Sequence, residues 1–299
     1  MTITRTCPVC SIQDSVPFAS ERIDLDRLKG SSYSSRKEPE FMRLRLVRCR
    51  NCDLVYAPSP PTSQFLSTAY SEADYDSLLE ASDAAKTYSQ SLAHHIKSVP
   101  HRFAAIDVGA GSGPLLPWLQ QQSFSPVLGI EPSKSAIAAA PLTIQPLLIR
   151  GVFSPNLVRH YKISLVCSFM TLEHILDPFD FAQSVYQMLQ PGGALALVVH
   201  DRSFWLNRML GKLSPIFDIE HVQLFNRSSL MALLRRSGYE EIHIVRLRNS
   251  YPLRYWLRLM PLPHHLKRAI LQILILLRID GKSCSLNVGN LFAIANRPL

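Results

Sequence analysis

The sequence contains no apolar stretch that would cross a bilayer as a helix, which takes about 18 residues or more. The longest apolar run, Ala269 to Leu277, is interrupted by Gln272 and closed by Arg278. The N-terminus lacks the charged, apolar, small-residue order of a secretory signal, so a cytoplasmic protein is expected. Internal repeats and low-complexity tracts are also missing, which sets aside solenoids, arrays and disordered linkers. Acidic residues are the minority, 23 against 32 Lys and Arg, giving a net charge of +9. The basic residues are spread along the chain with only short local clusters. That favours a basic soluble enzyme over a nucleic-acid binder. What is present is 299 residues with 47% apolar content, enough for one large α/β domain and a small additional module.

The most telling segment is Ala104 to Gly113, AAIDVGAGSG. It reads as a short buried strand ending near Asp107, followed by a turn whose glycines at 109, 111 and 113 permit positive φ and close approach to a ligand. A strand, a glycine-rich turn and a helix form the nucleoside- or phosphate-binding corner of a doubly wound sheet. The spacing is G-x-G-x-G, and no Lys follows to meet a phosphate, so the ligand is expected to be other than a di- or triphosphate. About twenty residues on, Val127 to Glu131 reads as the next strand. It closes on a single carboxylate that can accept hydrogen bonds from both ribose hydroxyls. Downstream, strands over Ile163–Phe169, Ala194–Val199, Glu241–Leu247 and Asn290–Asn296 alternate with helices over Leu115–Gln121, Asp180–Leu189 and Ser228–Ser237, with a turn at Pro191-Gly-Gly. This alternation predicts a mainly parallel sheet.

Four of the six cysteines form two C-x-x-C pairs, Cys7/Cys10 and Cys49/Cys52. Four thiolates in that spacing suit one closed, structural, tetrahedral zinc. A redox dithiol or disulfides are the alternatives, the latter disfavoured without an export signal. Between the pairs, the Ser- and charge-rich stretch Lys29 to Glu40 reads as a surface loop, which a ribbon tolerates because closure entropy grows slowly with loop length. Three parts are therefore expected: residues 1–60 as a zinc ribbon, 61–100 as a helical connector bearing Tyr70, Tyr75 and Tyr88, and 101–299 as the sheet domain.

The segment Ile106 to Gly113, with Glu131 and the L-x-P-G-G of Leu189 to Gly193, resembles the class I S-adenosylmethionine-dependent methyltransferases. The likeness covers about residues 101–249. It implies a doubly wound, Rossmann-like α/β sheet, mostly parallel with the last strand antiparallel. It also implies S-adenosylmethionine as cofactor, held by Asp107, Gly109, Ala110, Gly111, Gly113, Glu131, Phe153 and Ser168. Glu173-His174 and His221 to Phe225 match a large subgroup acting on small molecules. With its two C-x-x-C pairs the chain is similar to bacterial sugar C-methyltransferases, without the further C-terminal domain those proteins carry. The implied acceptor is a small molecule, a sugar or a precursor of a secondary metabolite or surface glycan. An RNA methyltransferase and a non-catalytic scaffold whose ribbon binds a partner protein are the other readings.

Methyl transfer needs an aligned acceptor atom and often a base. The candidates lie where strands end: Glu173 and His174, His200 and Asp201, then Glu220 and His221 in the next loop. His174 and His221 are the expected proton acceptors, with Glu220 orienting His221. A Glu-x-x-Glu-His metal site is excluded because Met170 stands where the first carboxylate would be. Finally, residues 251–279 place Tyr255, Trp256, Leu259, Leu266, Ile270, Ile273 and Leu277 at helical spacing among Arg254, Arg258, Lys267 and Arg268. This basic amphipathic insertion is read as a lid over the site, a face of a homodimer, or a peripheral membrane contact. Monomer and homodimer stay open.

Overall fold

The computed structural model describes residues 2–24, 26, 30–34, 39–75 and 77–299. Most of the Lys29–Glu40 insertion lies outside the described residues. Its described part departs from a surface loop, because Gly30–Tyr33 form a 3-10 turn that buries Tyr33.

The N-terminal segment supplies β1 (Ser15–Ala19), β2 (Leu46–Cys49) and β3 (Val55–Tyr56). Two helices follow, α1 (Ser63–Glu72) and α2 (Leu78–His95). The side chain of Thr62 accepts from the Phe65 N–H and so caps α1. The main sheet then begins with β4 (Ala104–Val108), α3 (Leu116–Gln121), β5 (Val127–Glu131), α4 (Lys134–Ala139) and β6 (Leu148–Arg150). It continues with β7 (Ile163–Phe169), α5 (Pro178–Met188), β8 (Leu189–His200) and α6 (Trp205–Leu210). The remainder is β9 (Gln223–Leu224), α7 (Arg227–Arg236), β10 (Glu240–Pro252), α8 (Leu253–Leu259), α9 (His264–Leu276) and β11 (Ser283–Asn296).

Seven strands form one sheet in the order β10-β11-β8-β7-β4-β5-β6. Pairings from β8 through β6 are parallel, and β11 runs antiparallel to both β8 and β10, as the sequence implied. Strands wind outward in both directions from the β4/β7 junction, so the loops after these two strands diverge and leave a crevice at their carboxyl ends. All five residues of β4 are buried. Ile106 faces a core shared with Val185, Leu195 and Leu233, while Ala105 faces the opposite core of Leu92, Leu116 and Phe292. Burial of such a Leu or Ile stabilises by about 1.5–3 kcal/mol.

Two elements differ from the expected ones. Pro191-Gly-Gly does not separate a helix from a strand; β8 begins at Leu189 and residues 190–193 bulge from it, because Ile163 pairs with Leu189 while Leu165 pairs with Ala194. The last two strands also run longer than their apolar alternation suggested. β10 and β11 remain paired out to Pro252 and Ser283, and α8 and α9 sit at the tip of that arm.

A second sheet has the order β1-β2-β3-β9. Its fourth strand comes from the main body, so the cysteine-bearing module is completed by residues 223–224. Several side chains bolt the two parts together. Arg236 donates to the Val9 carbonyl at 2.5 Å and to Ser11 Oγ at 3.0 Å. Arg202 pairs with Asp53 at 2.5 Å, and Asn226 Nδ2 donates to the same carboxylate at 2.5 Å.

Candidate active site

The loop after β4 is shaped by backbone demands. Gly109, Gly111 and Gly113 have φ of 78°, 56° and 72°, the left-handed region that favours glycine. A Cβ at Gly109 would lie 2.2 Å from Thr171 Oγ1, so this position cannot carry a side chain without displacing the loop after β7. The loop folds back on β5, with the Gly109 N–H donating to the Ile130 carbonyl at 2.9 Å. Glu131, at the end of β5, accepts from the Gly111 N–H through Oε2 and from the Ser133 N–H through Oε1, both at 2.8 Å. Ser133 caps α4 and its hydroxyl donates to the Ala73 carbonyl at 3.1 Å, which ties the segment between α1 and α2 to the site. Tyr75 Oη lies 2.8 Å from Ser112 Oγ, so the connector closes over the loop.

These groups line one cavity of about 890 Å³. Asp107, Gly109, Ala110, Gly111, Glu131 and Phe153 are on its wall. Phe153 meets Phe181 edge-on at 5.1 Å. Two expected residues are not there. Gly113 abuts Ile144 and Leu116 and serves helix packing. Ser168 is fully buried within β7, its hydroxyl without a hydrogen-bond partner among the described residues. Burial pushes the Asp107 carboxyl up to about 7, with the neighbouring Glu131 adding to the effect. Glu131 is also raised by burial, opposed by its two backbone donors. The cradle suits a nucleoside with a cationic tail: each Glu131 oxygen keeps a lone pair for a ribose hydroxyl, and the buried acids gain from a nearby positive charge.

The same cavity is lined by the imidazoles of His174, His200 and His221. His221 is central, its ring 4.9 Å from that of His174 and 5.3 Å from that of His200. Its Nδ1 lies 2.9 Å from the Ile216 carbonyl, which can only accept, so Nδ1 carries the proton and Nε2 is the basic nitrogen of the neutral ring. His174 Nδ1 lies 3.7 Å from Glu220 Oε2 and 3.5 Å from Tyr70 Oη. Asn290 Nδ2 donates to Asn249 Oδ1 at 2.7 Å, leaving Asn290 Oδ1 to accept from His200 Nδ1 at 3.0 Å. Burial, aided by His221, lowers the His200 pKa to about 3, so this ring stays neutral.

The structure thus gathers His174, His200, Glu220 and His221, and it separates Glu173 and Asp201 from them. Glu173 is fully buried, accepts from the His200 N–H at 2.7 Å, and is pushed up to about 7 by burial. Its role is to strap the loop after β7 to β8. Asp201 accepts locally from Ser203. Sequence reading missed Tyr33, Asn249, Tyr251 and Asn290, all on the cavity wall. A lone aromatic in the Ser-rich insertion was the one available signal for Tyr33; nothing in local pattern marks the asparagines.

Asp107 and Glu173 set a pH dependence. Each is protonated in the folded state up to about 7, whereas carboxyls in the unfolded chain ionise near 4. The folded state therefore binds more protons across this window, and stability falls as pH rises from about 4 to 7. The expected result is a falling melting temperature over that range, with a shallower fall in Asp107→Asn at equal metal content.

The four cysteines of the N-terminal module also converge. Cys7 and Cys52 Sγ are 3.5 Å apart, as are Cys10 and Cys49, and all four sulfurs lie within 4.8 Å of one another. A tetrahedral site with Zn–S bonds of about 2.3 Å needs sulfurs roughly 3.8 Å apart, so the set fits zinc. The shared hydrogen bond favours the thiolate on Cys7 at the expense of Cys52, and burial raises Cys49, so a cation among the sulfurs is what would let all four ionise together.

The family model for a methyltransferase domain matches residues 82–244. No curated protein matches the chain. Among solved structures, the YcgJ protein of a Bacillus species is 16% identical with a TM-score of 0.50, covering 70% of this chain and 99% of its own. The plantazolicin methyltransferase BpumL, solved with SAH, is 15% identical with a TM-score of 0.50, covering 79% and 90% respectively. At that identity the likeness concerns the fold, while the family model spans more than half of the sequence: the chain belongs to the methyltransferase-domain family and is a methyltransferase enzyme.

Proposed function

We propose that the protein transfers a methyl group from S-adenosylmethionine to a small-molecule acceptor bearing a hydroxyl or an enolisable carbon, with His221 as the base. The observation that carries this reading is that the glycine loop, Glu131, His174, Glu220 and His221 all line the same cavity. Glu131 would hold the ribose, Asp107 and the 109–111 backbone the methionine portion, and Phe153 would border the adenine. When bound, S-adenosylmethionine supplies an electrophilic methyl on a sulfonium sulfur. His221 Nε2 takes the acceptor's proton, and the Ile216 carbonyl keeps the ring in the tautomer that allows it. His174, held between Glu220 and Tyr70, orients the acceptor. Most of the wall is apolar or aromatic, which excludes water and strengthens these polar contacts.

A sugar or surface-glycan precursor remains the preferred acceptor, because a polyhydroxylated ring offers both the proton to be removed and groups for His174 and Asn249 to hold. The cysteine cluster is assigned to one structural zinc. The test combines two measurements. His221→Asn binds S-adenosylmethionine as wild type does in calorimetry, yet incorporates label from the methyl-labelled cofactor into nucleotide-linked deoxysugars about 10²–10⁴-fold more slowly, the usual worth of a positioned base. Equal rates would remove His221 from the chemistry.

A further inference from the structure

The outer side of the cavity mouth is built unlike the rest of the molecule. α9 buries none of its residues. Leu266, Ile273 and Leu277 recur at seven and four positions, so they share one face with Leu276. All four are exposed, Leu276 to 82%. α8, which precedes it, turns Tyr255, Trp256 and Leu259 into the cavity, and Met260 both lines the mouth and is exposed. On the neighbouring wall α6 does the same: Leu206 and Leu210 line the cavity while Trp205 and Met209, one helical turn apart, are 63% and 67% exposed. α6 therefore walls the cavity and also carries large apolar side chains outward, while α9, which follows the cavity-lining α8, exposes its own apolar stripe.

Charge selects the occupant. Residues 253–282 hold six Lys or Arg and one acid, Asp280, and that acid pairs with Arg254 at 3.7 Å. The α6 segment adds Arg208 and Lys212 with no acid between 205 and 213. Two copies of so basic a segment repel, whereas an anionic lipid surface attracts it and accepts the apolar stripe. No described helix is long and apolar enough to cross a membrane, so the contact would lie in the interfacial plane.

We propose that α9 and the outer face of α6 seat the protein on an anionic lipid surface with the cavity mouth turned toward it, and that the methyl acceptor is a sugar-headed amphiphile presented from that layer. The docking half stands without the catalytic reading; the acceptor half rests on it.

The full chain is floated with phosphatidylcholine vesicles with and without phosphatidylglycerol. Flotation with the anionic vesicles, weakened by added salt, is expected. The variant Ile273→Glu/Leu276→Glu/Leu277→Glu should lose it by about tenfold or more, with cofactor affinity in calorimetry unchanged. Recovery of wild type in the soluble fraction overturns the docking. So does a dimer by light scattering that the same variant converts to monomer without vesicle binding, since the face would then belong to a second copy. For the acceptor, dodecyl maltoside below its micellar concentration should shift the emission of Trp256 saturably in a Trp118→Phe/Trp205→Phe background, while maltose does not. An unchanged spectrum overturns the amphiphile. Absence of S-adenosylmethionine binding in wild type would instead strike the catalytic reading and leave flotation untouched.

Discussion

Replacing Glu131 with alanine should weaken S-adenosylmethionine binding by about 10²–10⁴-fold. In the proposed cradle two ribose hydroxyls donate to this carboxylate, and the variant loses both charge-assisted hydrogen bonds, each worth about 1.5–3 kcal/mol. The loss has a second component, because the same carboxylate accepts from the Gly111 and Ser133 N–H groups. Without it the glycine turn loses its anchor to β5 and the cofactor meets a less ordered cradle. Glu131→Gln separates the two effects. Its amide oxygen can still accept from one backbone donor but cannot serve both edges, so its affinity should fall between wild type and alanine. Calorimetric titration reads all three proteins, with far-ultraviolet circular dichroism confirming the fold. Retention of wild-type affinity in Glu131→Ala would move the ribose away from β5 and undo the assignment of the whole cradle.

The glycine-loop side of this cavity is written in local sequence, and that is why its geometry was legible there. A positive φ at Gly109, Gly111 and Gly113, a buried strand before them and a carboxylate at the end of the next strand are each dictated by neighbours within a few residues. The parallel order followed from the same alternation. Ser168 was mistaken because a strand-end serine looks alike whether it faces the crevice or the core; strand twist and the packing of β8 decide, and local pattern does not register them. Glu173 and His174 are adjacent, yet one is sealed against the β8 backbone and the other opens on the cavity. Asn249 and Asn290 illustrate the opposite limit. They meet across the β10–β11 ladder, 41 residues apart, and their service to His200 arises only from that pairing. The convergence of the four cysteines was foreseeable from spacing alone, but nothing local disclosed that their sheet is finished by residues 223–224.

That junction gives the second large effect. With zinc proposed at the four cysteines, its loss should abolish most methyl transfer while leaving cofactor affinity within about threefold of its starting value. A four-thiolate zinc contributes about 10–16 kcal/mol in small zinc modules. Its removal frees the knuckles on either side of β2 and β3. Strand β3 pairs Val55 with Leu224 and Tyr56 with Gln223, and the Ala57 N–H donates to the Val222 carbonyl at 2.9 Å. Arg5, two residues before the first cysteine, donates to the same Val222 carbonyl at 2.8 Å and to Gln223 Oε1 at 3.1 Å, and also reaches the Leu176 carbonyl. Gln223 in turn donates to the carbonyls of Leu172 and Ile175. The two loops that carry His174 and His221 are thus held by residues flanking the cysteines, whereas Glu131 and Gly109 are held by β5. A misplacement of about 1 Å at reacting groups costs on the order of 10²-fold in rate, so the imidazole side should fail first. Cys49→Ser, or chelation followed by dialysis, tests this with metal content, methyl-label incorporation, cofactor calorimetry and amide exchange at Val222 measured on the same samples. Turnover should return on adding zinc to the chelated wild type. Full activity in metal-free protein, or cofactor affinity collapsing together with turnover, would show that the module does not position the histidines.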